Sequence, residues 1–113
     1  MPGDQASAID ARNALLIEQF LEMMSAERGM ATLTLSAYRA DLRSLSEHTN
    51  LPLDQITHDH LKKFIAHLSQ KGYEGRTVSR KLSALRRFYA FLLEENRIPH
   101  NPTEGIDFPK QSR

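Results

Sequence analysis

The sequence predicts an all-α protein, a compact bundle of four helices. Apolar residues recur at helical spacing in four separate stretches. The period-two alternation of a half-buried strand is nowhere sustained. Gly, Asn or Pro stands between the stretches, where helices stop.

The first helix is expected over 8–26, with Ile9, Leu16, Phe20 and Met23 on one face. Ile17, Leu21 and Met24 widen that face. Ser7 with Asp10 resembles a capping box, with Asp in place of Glu, and Gly29 supplies the stop. Residues 1–7 ahead of it are expected to be a disordered tail. The second helix is expected over 33–48, where Leu35, Tyr38, Leu42 and Leu45 lie at i, i+3, i+7 and i+10. Thr32 or Thr34 is its candidate cap, and Asn50 and Pro52 end it.

The third helix is expected over 58–71, capped by Thr57 and closed by Gly72. Leu61, Phe64, Ile65 and Leu68 align along it. The fourth, over 77–96, carries the clean stripe Val78, Leu82, Leu85, Tyr89 and Leu92, broadened by Phe88 and Phe91. The helical domain thus covers 8–98, and 99–113 reads as a Pro-rich extended linker punctuated by Pro99, Pro102 and Pro109.

A chain of 113 residues, 40% hydrophobic and 26% charged, is long enough for one domain with a real core. It has no cysteine, which excludes disulfides and thiolate metal sites and points to a reducing compartment. No apolar run approaches the roughly 20 residues that span a bilayer, and MPGDQASAID is not a secretory signal. A soluble cytoplasmic domain is the expectation, with no membrane partner.

Charge distribution carries more than net charge, which is only +1. The segment RTVSRKLSALRR at 76–87 holds five cations and no acid. With Val78 to Leu92 turned inward, Arg76, Arg80, Ser83 and Arg87 fall within about 60° on the opposite side of the fourth helix. Lys81 and Arg86 flank them. A guanidinium every turn, with small hydroxyls between, suits a phosphate backbone or a major groove.

A merely solvated face is the duller reading, but such a face normally mixes signs with Glu four residues before Lys or Arg. Here the cations sit in the helix's first half and Glu94 and Glu95 near its end, against the helix dipole. That arrangement sacrifices some helix stability, as a surface kept for an anion does. Ser36, Arg39 and Arg43 on the second helix form a weaker basic edge, with Ala40 keeping it slim.

At TLSAYRADL (34–42), RTVSRKLSALRRFYAFLLEE (76–95) and NPTEGIDFPK (101–110) the chain resembles the N-terminal core-binding domain of tyrosine site-specific recombinases of the bacterial Xer type. The resemblance extends from IEQFL (17–21) through HLKKFIAHL (60–68) to the Asn-Pro and Pro-Lys exit. It implies a SAM-like helical bundle forming half of a clamp on DNA, with the second and fourth helices facing the duplex. The DNA-contacting residues it implies are Ser36, Arg39, Arg43, Arg76, Arg80, Lys81, Ser83, Arg86 and Arg87. Tyr38 lies on the apolar stripe and is expected in the core.

The resemblance also implies a C-terminal catalytic domain that cleaves DNA through a phosphotyrosine, needs no cofactor, and works in a synaptic tetramer with itself or a paralogue. None of His48, His58, His60, His67 or His100 is followed by Arg three residues on, so the family's catalytic His-x-x-Arg pair is missing. Tyr38, Tyr73 and Tyr89 all fall in the helical domain. The chain is therefore expected to be a fragment of a longer recombinase, a monomer that binds double-stranded DNA and cuts nothing. Whether the parent resolves chromosome dimers or mobilises an element stays open.

Other readings carry less. His58 and His60, two apart, point to different sides of a helix, so no metal site is expected. The five glycines form no phosphate loop. A helical protein–protein module would show an exposed apolar patch. A free-standing helix-turn-helix regulator would need a short turn before a basic recognition helix. A basic amphipathic helix lying on a membrane would need an apolar face that the bundle already uses.

Overall fold

The computed structural model describes the backbone of residues 2–107 and the side chains of residues 8–107. The chain is all-α, as the apolar spacing predicts. Four helices, α1 (Pro2–Arg28), α2 (Thr32–Thr49), α3 (His58–Gln70) and α4 (Gly75–Glu94), are joined by turns and one 3-10 turn, Leu53–Gln55. Among the described residues there is no strand. The chain forms two compact units, Met1–Gln55 and Ile56–Arg113.

In the first unit α1 packs along α2. Leu16, Ile17, Phe20, Leu21 and Met24 of α1 are buried, as are Tyr38, Leu42 and Leu45 of α2. Burial of each such side chain stabilises by about 1.5–3 kcal/mol. Helix α1 begins at Pro2, not at Ala8, so no helix start exists for a Ser7–Asp10 capping box. The opening residues have no apolar period to reveal them, and Pro is compatible with a first helical turn. Gly29, at φ 61°, closes α1 by donating its N–H to the Ser25 carbonyl at 3.2 Å.

Neither Thr32 nor Thr34 caps α2. The N-cap is Ala31, in extended conformation and without a side-chain hydrogen bond, and Thr32 is already helical. At the other end Asn50 turns left-handed, its N–H reaching the Ser46 carbonyl. One polar side chain fastens the segment that follows. Asn13, 1% exposed, donates from Nδ2 to Ser46 Oγ and to the Leu51 carbonyl, both at 2.9 Å. Its Oδ1 accepts the Leu53 N–H at 2.8 Å. The neighbouring Arg12 pairs with Asp54.

In the second unit α3 packs on α4. Thr57 caps α3 as expected, in a reciprocal box. The His60 N–H donates to Thr57 Oγ1 at 3.2 Å and the Thr57 N–H donates to His60 Nδ1 at 3.0 Å. His60 thus takes the place of the usual Glu or Gln. Helix α3 ends in a Schellman motif, with Gly72 at φ 85°, its N–H on the Ser69 carbonyl and the Tyr73 N–H on that of Leu68. Helix α4 ends likewise at Asn96, φ 57°, with Asn96 N–H to Leu93 and Arg97 N–H to Leu92. Val78, Leu82, Leu85, Phe88, Tyr89 and Leu92 are buried.

The segment after α4 is not extended through its first part. The Asn101 side chain accepts from the Thr103 N–H at 2.9 Å and from its hydroxyl at 2.7 Å, an Asx turn that bends the chain at Pro102. His58 Nδ1 donates to the Pro102 carbonyl at 3.2 Å. Ile98, Thr103 and Ile106 are buried. Three prolines signal only that a helix is excluded; buried isoleucines and an Asx turn decide that the chain folds back. Pro109 and Lys110, part of the expected linker, lie outside the described residues.

Candidate nucleic-acid interface

Burial of the α4 stripe leaves an arc of that helix in solvent. Arg76, Arg80 and Arg87 are exposed on it and Ser83 lies half-buried between them. The stripe runs about 16 Å along the helix axis. Eighteen residues after Arg76, five whole turns, Glu94 returns to the same direction, so the basic character ends there.

The two flanking cations have other work. Lys81 is 7% exposed, with Nζ 5.6 Å from the centre of the Tyr73 ring, a cation–π distance. The Arg86 guanidinium donates to the Ile106 carbonyl, tying the returning segment to α4. Both side chains help hold the second unit together.

On α2, Leu33, Ser36, Ala40 and Arg43 follow one another at i, i+3, i+7 and i+10 and all are exposed. Leu33, at 85%, is the most exposed large apolar side chain described. Arg39, half-buried beside this face, is held by α1. Its Nε donates to Glu18 Oε2 at 2.6 Å and its Nη2 to Oε1 at 2.9 Å. This is a two-pronged pair, the geometry in which guanidinium and carboxylate fit best.

Neither Leu33 nor Glu18 stands out in the sequence. Leu33 looks like one more apolar residue at a helix start. Glu18 lies 21 residues from Arg39, and nothing local announces their meeting.

The pair perturbs both partners. The hydrogen bonds from Arg39 hold the Glu18 carboxyl below its ordinary value, slight desolvation opposes this, and the charges of Arg39 and Arg43 lower it further. Arg39 is raised in turn, first by its bonds to Glu18. An acid depressed in the folded state contributes stability that is present above its unfolded pKa and lost as pH falls through the folded value. With both side chains only partly buried, that contribution is at most about 1 kcal/mol. A carboxyl-resolved NMR titration is expected to place Glu18 below the ordinary value of a glutamate carboxyl. Arg39→Ala should return it towards that value; a midpoint that does not move would dismiss the pair as its cause.

Among the described residues no three His, Cys, Asp or Glu side chains converge to hold a metal. No described helix is long and apolar enough to cross a membrane.

Fold and surface define the class first: an all-helical domain whose fourth helix exposes a row of arginines. The particular family follows from sequence likeness. The phage integrase, N-terminal SAM-like domain family matches residues 17–96, and the chain belongs to it. Tyrosine recombinase XerD of Rhizobium meliloti (strain 1021) is 41% identical over 104 residues, which cover 89% of this chain and 33% of that protein. Tyrosine recombinase XerC of Roseiflexus sp. (strain RS-1) is 36% identical over 101 residues, 86% of this chain and 32% of the relative. Tyrosine recombinase XerD of Agrobacterium fabrum (strain C58 / ATCC 33970) is 39% identical over 103 residues, 88% and 31% respectively. The chain thus spans about a third of the length of these relatives. No solved structure matches it.

Proposed function

We propose that this chain is the DNA-binding N-terminal domain of a site-specific tyrosine recombinase, gripping a recombination half-site through the exposed faces of α4 and α2. The observation that carries the reading is the row Arg76, Arg80 and Arg87, with Ser83, in the acid-free stretch 76–87 of a chain of net charge +1. Arginines at successive turns contact phosphates along a backbone and fix register, and a small residue between them lets the helix approach the base edges. Ser36, Arg39 and Arg43 supply the contacts of α2. Lys81 is buried and acts mainly behind the surface, while Arg86 is exposed and also donates to the Ile106 carbonyl, so it flanks the row as a further contact.

On this reading strand cleavage and joining belong to sequence beyond this domain. The parent acts as a tetramer on two synapsed duplexes in the cytoplasm, while the isolated domain is a monomer. Fluorescence anisotropy of the 113-residue chain on short duplexes, titrated with salt, tests the reading. A log–log slope near −3 to −5 is expected, about four or five neutralised phosphates at ~0.9 each. A flat, weak response at low salt would remove DNA as the partner. The exposure of Leu33 would then bring a helical protein–protein module forward.

A further inference from the structure

Arg39 meets Glu18 with the edge of its guanidinium that would also meet a phosphate. Nε and Nη2 project two parallel N–H groups, and Glu18 fills both, at 2.6 and 2.9 Å. A DNA phosphate offers the same pair of oxygens to the same fork. The two acceptors therefore compete for one donor edge. The pair is accessible to such a competitor, with 39% of the Arg39 side chain and 52% of the Glu18 side chain exposed. Arg43, one turn further along α2, also acts on the Glu18 charge, so the carboxylate lies in the field of two of the three residues expected to contact DNA from α2.

We propose that Glu18 is a specificity-determining residue that acts as an internal stand-in for phosphate, occupying Arg39 until a correctly placed phosphate displaces it. The inference rests on the reading of α2 as a DNA-facing helix. Its consequence is conditional binding. A duplex held out of register gains nothing from Arg39, because the guanidinium keeps its carboxylate partner. A duplex in register presents two phosphate oxygens where the carboxylate stood, and Arg39 changes partner. Glu18 thus lowers affinity for arbitrary DNA.

Glu18→Gln tests this, since it removes the charge and keeps the size. On a random-sequence duplex the variant is expected to bind about threefold to tenfold more tightly, with a salt slope steeper by about 0.9, one additional phosphate contact. In an Arg39→Ala background the same substitution should change neither quantity. That non-additivity separates displacement at Arg39 from a general loss of negative charge. A thermal melt of each variant identifies any effect that comes from unfolding.

Wild-type binding with a normal slope, left unchanged or weakened by Glu18→Gln, would overturn the inference and leave the DNA-binding reading standing. So would a gain that persists without Arg39. Absence of wild-type binding would overturn both.

Discussion

Asn13→Ala is expected to destabilise the first unit by about 3 kcal/mol, among the largest losses available to a single polar substitution in it. Asn13 is 1% exposed and satisfies three groups at once: Ser46 Oγ, the Leu51 carbonyl and the Leu53 N–H. A buried group stripped of its partner costs about 1–3 kcal/mol, and the substitution takes the Asn13 acceptor away from the Leu53 N–H. Truncation also leaves a small void at the α1–α2 seam. Water entering that void would recover part of the loss, which is why the expected total stays below the sum of three full penalties. For a chain of this size the change corresponds to a drop in Tm of roughly 12–20 °C. A loss under about 1 kcal/mol in chemical denaturation would show that Asn13 only decorates a seam held by apolar contacts. Asn13→Asp keeps an acceptor for Leu53 but sets a carboxylate oxygen against the Leu51 carbonyl in a buried site, so at neutral pH it should destabilise at least as much as alanine. The seam matters to the surface too, because it fixes the α1 register that sets Glu18 opposite Arg39.

The parts of the fold legible in the sequence are those that depend on periodicity. Leu35, Tyr38, Leu42 and Leu45 announce α2, and Val78 through Leu92 announce α4, because an apolar stripe at 3.6-residue spacing has one regular solution. Ends are harder. Thr32 and Thr34 have the right chemistry for a cap, yet Ala31 takes the position because its backbone, at φ −66° and ψ 149°, is where the chain turns into the helix. Capping follows backbone geometry at one residue, and tertiary packing chooses that residue. Thr57 is legible because its partner His60 lies within the same first turn.

The candidate interface divides along the same line. The direction of Arg76, Arg80, Ser83 and Arg87 on α4 follows from helix geometry alone, and the structure leaves all four on the open side of the helix. What a neighbouring cation does once the helix is placed does not follow. Lys81 and Arg86 sit only a fraction of a turn from the stripe, yet one lies against Tyr73 and the other donates to Ile106, eight and 20 residues away. Arg39 meets Glu18 across two helices. Each of these partners is brought in by packing, and a helical wheel contains no packing. Long flexible side chains at the margin of a polar face are where sequence-based assignment of binding residues is weakest.

The second large effect falls on binding. The triple substitution Arg76→Ala, Arg80→Ala and Arg87→Ala is expected to reduce the magnitude of the salt slope by about 2.7, at ~0.9 for each phosphate left without its arginine. At about 0.15 M salt each such phosphate is worth roughly 0.7 log units, so affinity should fall on the order of 100-fold. The reduction should be similar on different duplex sequences if the three side chains meet phosphates. A reduction confined to one sequence would move at least one of them to a base edge. The arginines are exposed on α4, away from the buried stripe, and a thermal melt of the triple variant separates any loss of folding from loss of binding. Arg86→Ala is the informative contrast. It takes away the same charge from the same helix but also releases the Ile106 carbonyl, so it should lower stability more than it lowers the slope. If Arg86→Ala instead flattens the slope by a full phosphate with little effect on folding, its bond to Ile106 is exchangeable and the basic surface of α4 is wider than the exposed stripe. If the triple variant keeps the wild-type slope, the arginine row is only a solvated face, and DNA must be held from elsewhere on the domain.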